Sequence, residues 1–351
     1  MHEKFNPHSN PPTFHFLKVL PFSPLLLLCK SIEFKDEPMP VDKFIGAYYA
    51  LDPFSPKLPD APRSVTTSMI DYTRAMVERF CSDTGLRITR PVDTPYISAE
   101  SWAQDSEEAG RFADVAASHS ASSLFLCRVG RPDLAAATQR LCSGVSRWTT
   151  VHDLALIRLM TYAACTSTHV LKGTLAPADV DDLMLLTYSD ADWNGDPMTS
   201  KSVTGWWIEL FSPASGRTFP LSWGCSQQSS TGGSTAETET VAFSHVVRRE
   251  AIPIQMLLDE VLPRRIGIAC RVDNMQTIQA VTKGYSKRLR HLPRTQRVCV
   301  GMLHEMLNDR DLQLSIEHCP TLQMKADLFT KVLNGPKFRA ALEMIHMMPQ
   351  A

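Results

Sequence analysis

The spacing of hydrophobic and polar positions changes near the middle of the chain. Before residue 182, apolar residues recur mostly at helical intervals, first over residues 66–86 and then over residues 111–172. Gly85 and Gly173 stand where these two stretches end, as glycine does after many helices. The pattern therefore predicts a mainly helical N-terminal part.

After residue 182, short apolar or alternating runs replace the helical spacing. These runs predict strands at residues 183–190, 203–211, 217–225, 265–273 and 312–318. Helical spacing between and after them predicts helices at residues 234–261, 274–283, 295–308, 322–332 and 336–347. Three strands, a helix, and then strands alternating with helices predict an α/β fold, with a mixed five-stranded sheet flanked by helices.

Composition narrows the class of protein. The 351 residues suggest two domains, with three as the alternative, and 44% hydrophobic residues suffice for sizeable cores. With 36 Lys and Arg against 37 Asp and Glu, the chain is no polycation, although a local basic face remains compatible with that balance. The nine cysteines form no CxxC pair and no zinc-ligand cluster, so we expect reduced thiols and a cytoplasmic or nuclear compartment.

The first 43 residues are predicted to be an irregular leader. Its apolar stretch, residues 16–29, is interrupted by Pro21 and Pro24 and is shorter than the roughly 20 residues that span a bilayer. It also lacks the basic start and the small residues of a signal peptide. A buried strand, or an artefact of how the start of the chain was defined, is the preferred interpretation, and we expect no membrane partner.

Acidic residues follow or interrupt the apolar runs at four places. Asp190 ends the first strand after residue 182, Glu239 lies one turn into the long helix, Asp273 ends the alternating strand, and Asp327 opens a late helix. An isolated charge beside apolar sequence is costly to bury unless it is paired or bound to metal. Converging carboxylates suit hard divalent ions, and two Mg²⁺ about 3.5–4 Å apart can act on a phosphodiester. Each acid alone is better explained as an exposed turn residue, but the order of all four favours catalysis.

A stretch of 31 positions, residues 274–304, contains basic residues and no Asp or Glu. We call it the basic segment; its cationic residues are Lys283, Lys287, Arg288, Arg290, Arg294 and Arg297. Lys and Arg supply sequence-independent affinity for a line of phosphates. An ordinary solvated basic face is the alternative, and the nearby acids favour nucleic-acid contact.

Several motifs together resemble one family. YSDADWNGD (188–196), KSVTGWW (201–207), LSW (221–223), STAETETVAF (234–243), CRVDNMQTIQAV (270–281) and KADLFTK (325–331) resemble the ribonuclease H domain of copia-type LTR retrotransposon polyproteins. Upstream, FIGAYY (44–49) and SSLFLCRVGRPDLAAATQRL (122–141) resemble the end of the polymerase palm and the thumb and connection region. After the leader (1–43), the resemblance implies a helical thumb and connection remnant (44–180) and a ribonuclease H-like domain (181–347).

The resemblance also implies a reaction and its residues. Asp190, Glu239, Asp273 and Asp327 match the four metal-binding carboxylates of the family. The implied activity is cleavage of the RNA strand of an RNA–DNA hybrid with two Mg²⁺ ions, or Mn²⁺ in their place, one activating water and the other stabilising the leaving oxygen. Asn274 is expected to orient a carboxylate or contact the substrate backbone. No polymerase aspartates precede FIGAYY, so a polymerase-bearing Pol chain is the expected partner.

Three other interpretations compete with this one. The chain is alternatively an inactive remnant that only binds nucleic acid, since GCSQQSS (224–230) replaces the lysines that the family usually has after SW. An integrase-like nuclease of similar fold would use three acids. The Asp-Thr-Gly of residues 83–85 resembles an aspartic protease loop, but the helical spacing before it and the position of Gly85 itself indicate a helix end.

Overall fold

A computed structural model describes residues 42–104, 108–196 and 199–350 of the chain. The apolar stretch at residues 16–29 and nearly all of the predicted leader lie outside the described residues. The described chain folds into two five-stranded sheets with helices packed on them. Among the described residues, no helix has both the length and the apolar character that crossing a bilayer requires.

The helices and strands have the following bounds. The strands are β1 (Lys43–Phe44), β2 (Ala47–Leu51), β3 (Arg63–Ser68), β4 (His169–Leu175), β5 (Met184–Asp192), β6 (Val203–Phe211), β7 (Thr218–Gln227), β8 (Ile268–Val272), β9 (Leu314–His318) and β10 (Met347–Pro349). The helices are α1 (Ile70–Thr84), α2 (Ala99–Ala103), α3 (Ala113–Val129), α4 (Ala135–Gly144), α5 (Thr150–Cys165), α6 (Thr235–His245), α7 (Ile252–Val261), α8 (Met275–Lys283), α9 (Leu292–Thr295), α10 (Val300–Leu307), α11 (Asp327–Thr330) and α12 (Gly335–Met344).

The C-terminal sheet has the strand order β7-β6-β5-β8-β9. Strands β7, β6 and β5 pair antiparallel, whereas β5, β8 and β9 pair parallel. The prediction of a mixed five-stranded sheet with flanking helices is confirmed. Because β5 and β8 run in the same direction, their carboxyl ends meet at one edge of the sheet, which is where open α/β sheets bind ligands.

The long helix predicted over residues 234–261 packs on this sheet as α6 and α7. A π-helical segment, Val246–Ala251, joins them and precedes Pro253, which has no N–H to continue the regular ladder. Phe243 and Val246 are buried in the same apolar cluster as Leu185 of β5. The helix therefore turns one face, including position 239, toward the central strand.

The N-terminal sheet was not predicted from the sequence. Its order is β1-β2-β3-β4-β10, and all neighbours are antiparallel. Residues 66–68 and 169–172, predicted to be helical, instead lie in β3 and β4, where Thr66 pairs with Lys172. Helix α1 consequently begins at Ile70. The helix prediction for these residues was wrong for a physical reason. Strands β3 and β4 pair with each other although about a hundred residues separate them, and local periodicity carries no information about so distant a partner.

One apolar core extends under both sheets. The ring of Phe338 in α12 lies 5.5 Å from that of Tyr96 and 5.7 Å from that of Tyr162, and Trp207 of β6 stacks on Trp223 at 5.7 Å. The indole N–H of Trp223 donates to the Cys127 carbonyl at 2.8 Å. The boundary predicted near residue 180 stays a prediction, and side chains from both sides of it pack together.

A buried ion pair anchors the turn between α3 and α4. The Arg131 guanidinium donates to both carboxylate oxygens of Asp133, at 2.9 and 2.7 Å, and to the Thr166 carbonyl at 3.0 Å. Both side chains are almost fully buried. These residues belong to the sequence Arg-Pro-Asp (131–133) within SSLFLCRVGRPDLAAATQRL (122–141), and their local role is to tie this turn to the end of α5.

Replacing Arg131 with Met should lower the free energy of unfolding by about 3–5 kcal/mol, because Asp133 would be left as a buried charge without its partner. Chemical denaturation of the full chain measures the loss. Arg74, exposed on α1, is the matched control, and Arg74→Met should change stability by less than about 0.5 kcal/mol. Equal effects of the two substitutions would contradict the anchoring role.

Candidate metal centre and nucleic-acid interface

Three of the four predicted acids converge at the edge of the C-terminal sheet. Asp190 lies near the end of β5, Asp273 directly follows β8, and Glu239 projects from α6. Each contributes a carboxylate oxygen, and these oxygens lie within 4.8 Å of one another. Asp190 and Glu239 are almost fully buried. The sheet therefore brings together residues that lie up to 83 positions apart in the sequence.

Asp327, the fourth predicted acid, joins the group through a lysine. It is the first residue of α11, and its Oδ1 accepts from the Lys331 ammonium at 2.6 Å. The same Nζ lies 3.3 Å from an oxygen of Asp190 and 4.0 Å from an oxygen of Asp273. We refer to Asp190, Glu239, Asp273 and Asp327 together as the carboxylate cluster.

Helix α11 reaches the cluster because β6 has a glycine opposite Asp190. Gly205 pairs with Asp190, and a Cβ at Gly205 would lie 2.6 Å from Thr330 Cγ2 and 2.8 Å from Phe329 Cβ. The absence of a side chain lets α11 lie directly on the sheet. The Thr330 hydroxyl then donates a hydrogen bond to Asp190. Neither this glycine nor this threonine was singled out from the sequence.

Burial and mutual repulsion raise the pKa values of three acids in the carboxylate cluster. Burial, and after it the charges of Asp190 and Asp273, raise the pKa of Glu239 well above its usual range. Burial and Asp190 also raise the pKa of Asp273, and they raise that of Asp327 to about 6, although Lys331 opposes both shifts. Burial lowers the pKa of Lys331, but the neighbouring aspartates outweigh burial and raise it, so the ammonium stays charged.

The donor set fits a divalent cation. All four side chains offer carboxylate oxygens, which Mg²⁺ and Mn²⁺ prefer as ligands. Glu239 Oε2 is buried and accepts no hydrogen bond from the described residues. A buried acceptor without a donor is costly and is expected to have a function, and here it belongs to a group of like charges.

Two further acids near the carboxylate cluster, Asp192 and Glu237, have local partners. Asp192 accepts a hydrogen bond from the Val203 backbone N–H, which fixes the turn between β5 and β6. Glu237 donates its backbone N–H to Ser234 Oγ at 3.3 Å and accepts from the Gly233 N–H at 2.9 Å. Asp192 thus ends β5 beside Val203, and Glu237 belongs to the capped start of α6.

Asn274 caps helix α8. Its Oδ1 accepts from the backbone N–H groups of Gln276 at 2.9 Å and Thr277 at 3.2 Å. This cap fixes the direction in which the chain leaves Asp273, so Asn274 positions that carboxylate through the backbone. A contact between Asn274 and nucleic acid stays a prediction.

The structure places the basic segment beside the helix that carries Glu239. His291 Nε2 lies 3.2 Å from Glu237 Oε2, and the Gln296 side chain accepts from Ser230 Oγ at 2.7 Å. All six cationic side chains predicted from the sequence, Lys283, Lys287, Arg288, Arg290, Arg294 and Arg297, are exposed. Their exposure leaves them accessible to a polyanion.

A polar groove of about 890 Å³ adjoins the basic segment. It runs between the end of β7, the π-helical segment and the chain after α9, and Arg248, Arg249 and Arg297 line it. None of its described lining residues is acidic. Arg248 and Arg249 were missed in the sequence because they lie inside a long helical pattern. The only signal for them was two adjacent arginines just before Pro253.

The C-terminal sheet and its flanking helices form a mixed α/β fold that carries a group of carboxylates at one edge. No family model matches the chain. It is 26% identical over 327 residues to the Retrovirus-related Pol polyprotein from transposon TNT 1-94 of Nicotiana tabacum, a match that covers 91% of this chain. The chain is therefore similar over nearly its whole length to a copia-type Pol polyprotein, and it spans 22% of the length of that relative.

Two further proteins are similar to parts of the chain. The Secreted RxLR effector protein 161 of Plasmopara viticola is 33% identical over 125 residues, which cover 36% of this chain and 81% of that protein, and it is therefore a relative of this chain as well. Among solved structures, LC11-RNase H1, isolated from compost by a metagenomic approach, matches with a TM-score of 0.27 and 14% identity. That match covers 46% of this chain and 93% of LC11-RNase H1.

Replacing Gly205 with Ala should lower the free energy of unfolding by about 1–3 kcal/mol, because the added methyl group forces α11 away from β6. Urea denaturation measures the change. Gly301→Ala in α10 is the control, since its added Cβ would meet no atom closer than 3.7 Å and alanine favours a helix. A neutral Gly205→Ala would show that α11 does not depend on this close approach.

Proposed function

We propose that this chain is the ribonuclease H part of a retrotransposon Pol polyprotein and hydrolyses the RNA strand of RNA–DNA hybrids. The convergence of Asp190, Glu239 and Asp273, with Asp327 linked to them through Lys331, carries the proposal. Four elements distant in sequence, β5, α6, β8 and α11, bring these acids to one edge of the sheet. No local structural need explains that arrangement, since like charges repel one another there.

The carboxylate cluster would hold one or two Mg²⁺ ions, with Mn²⁺ as a substitute. Divalent ions in such a site favour deprotonation of an attacking water and stabilise the leaving oxygen of a phosphodiester. The protein's own contribution is positioning. Thr330 holds Asp190 by its hydroxyl, the Asn274 cap fixes the chain after Asp273, and the packing of α6 on β5 buries Glu239.

The hybrid would bind along the basic segment and the polar groove. Their exposed Lys and Arg side chains suit the regularly spaced phosphates of a duplex and carry no sequence preference. Arg248 and Arg249 supply cations on the side where GCSQQSS (224–230) lacks the lysines expected of the family. Contacts with 2′-hydroxyl groups would distinguish the RNA strand from the DNA strand.

The remaining assignments are part of the same proposal. Residues 44–180 would be a thumb and connection remnant, and DNA synthesis would need a polymerase-bearing Pol chain as partner. All eight cysteines in the described part of the chain are free thiols, which supports a reducing compartment such as the cytoplasm or nucleus.

The full chain should cut the RNA strand of a labelled RNA–DNA hybrid in the presence of Mg²⁺, and EDTA should stop it. Asp273→Asn should reduce the rate more than about 100-fold, since losing even an outer-shell partner of a metal ligand costs about 10–100-fold. Asp311→Asn, at a side chain that is 91% exposed, is the control and should leave the rate unchanged.

The absence of cleavage by folded protein would favour the alternative, an inactive remnant that only binds nucleic acid. That alternative predicts salt-dependent hybrid binding without any cutting. Strand transfer to DNA, rather than RNA cleavage, would instead indicate an integrase-like nuclease.

Removing positive charge from the basic segment should weaken binding of the hybrid and make the binding affinity less dependent on salt concentration. For the triple variant Arg288→Gln, Arg290→Gln and Arg294→Gln, the slope of log affinity against log salt should become shallower by up to about 0.9 for each lost phosphate contact. Fluorescence anisotropy at several salt concentrations measures it.

The matched control removes three exposed arginines elsewhere, with the substitutions Arg74→Gln, Arg87→Gln and Arg90→Gln. This control lowers the net charge equally but should leave the slope unchanged. If both triple variants change the slope alike, binding follows overall charge and not the basic segment.

A further inference from the structure

Lys331 has an unusual set of neighbours. Its ammonium lies 2.6 Å from Asp327 Oδ1, 3.3 Å from Asp190 Oδ1 and 4.0 Å from Asp273 Oδ2. Among the described residues, Lys331 provides the one basic group within 4.0 Å of these three carboxylates. It was not singled out from the sequence, where it is simply the last letter of KADLFTK.

The lysine divides the carboxylate cluster into two halves. On the Asp327 side, the ammonium already provides a positive charge between three acids. On the Glu239 side, no basic group lies within 4.0 Å of the Glu239 carboxylate among the described residues, and Glu239 Oε2 accepts no hydrogen bond there. One half of the cluster thus has its cation, whereas the other half lacks one.

We propose that Lys331 is a built-in cation that occupies the Asp327 side of the metal centre and competes with a divalent ion for it. The inference rests on the proposed function, because it concerns the same carboxylate cluster. An ion on the Glu239 side would bind without displacing the lysine. An ion on the Asp327 side would have to displace the ammonium, so that position should be the weaker one.

Exposure and charge both suit Lys331 to this exchange. Its side chain is 37% exposed, so the ammonium has an open path to solvent when it leaves. A lysine ammonium is a compact charge on a flexible four-carbon stem, unlike the rigid fork of arginine. Lys325 in the same motif is different, because its ammonium is held by both oxygens of Glu209 at 2.6 and 2.8 Å and is largely buried.

The test compares Mn²⁺ binding with stability in the absence of metal, using the full chain. Lys331→Met should tighten the weaker Mn²⁺ site by about tenfold in calorimetric titration, the equivalent of about 1.4 kcal/mol of relieved competition. The same variant, freed of metal, should melt at a lower temperature than the unsubstituted chain, because three acids lose their counter-ion. The two readouts should therefore move in opposite directions.

Two further variants make the test specific. Lys331→Arg keeps a positive charge and should retain a weak second site. Lys337→Met removes an exposed lysine from α12 and should alter neither readout. Parallel losses of Mn²⁺ affinity and melting temperature in Lys331→Met would mean a purely structural lysine and would overturn the inference.

The outcomes also separate this inference from the proposed function. If the unsubstituted chain and Lys331→Met bind Mn²⁺ equally well, the competition is refuted while the metal centre stands. If no variant binds Mn²⁺ at all, the metal centre fails and the inference fails with it.

Discussion

Several carboxylates of like charge have to be held close together where water has little access. Repulsion and burial both disfavour this arrangement, and the raised pKa values of Glu239, Asp273 and Asp327 reflect that cost. The sheet supplies the constraint, because the parallel pairing of β5 with β8 fixes two of the acids side by side. Lys331 offsets part of the repulsion.

Helix α11 and the N-terminal helices pack against the C-terminal sheet near this edge. Helix α11 is held against β6 at Gly205, and Phe329 of that helix stacks near Trp207 at 6.2 Å. The same aromatic core continues to Trp223, which is tied to the N-terminal helices by its hydrogen bond to Cys127. Packing in the N-terminal part therefore helps to position a group that belongs to the C-terminal motif.

Similarity to a Pol polyprotein and site geometry support the proposed function in different ways. The match to a Pol polyprotein covers nearly the whole chain but only 22% of that relative. It therefore shows which kind of polyprotein contains a similar sequence, but it does not show which activity that sequence has. The geometry brings the candidate reacting groups together, and the basic segment with the polar groove forms a cationic surface. The hypothesis of hybrid cleavage depends on combining the two.

Local sequence determined most of the C-terminal fold, because each strand and helix there has its own period, and it singled out the four acids by their places at strand ends and helix starts. The sequence also located the basic segment, because a stretch with basic residues and no Asp or Glu can be read directly from the order of residues. Only the tertiary structure revealed the N-terminal sheet, the place of Arg248 and Arg249 in the polar groove, and the position of Lys331 among the acids. Each of these features depends on partners that are distant along the chain. Strand β3 pairs with β4, and the polar groove is closed on one side by the chain after α9. Lys331 lies close to Asp190 only because Gly205 lets α11 pack directly on the sheet.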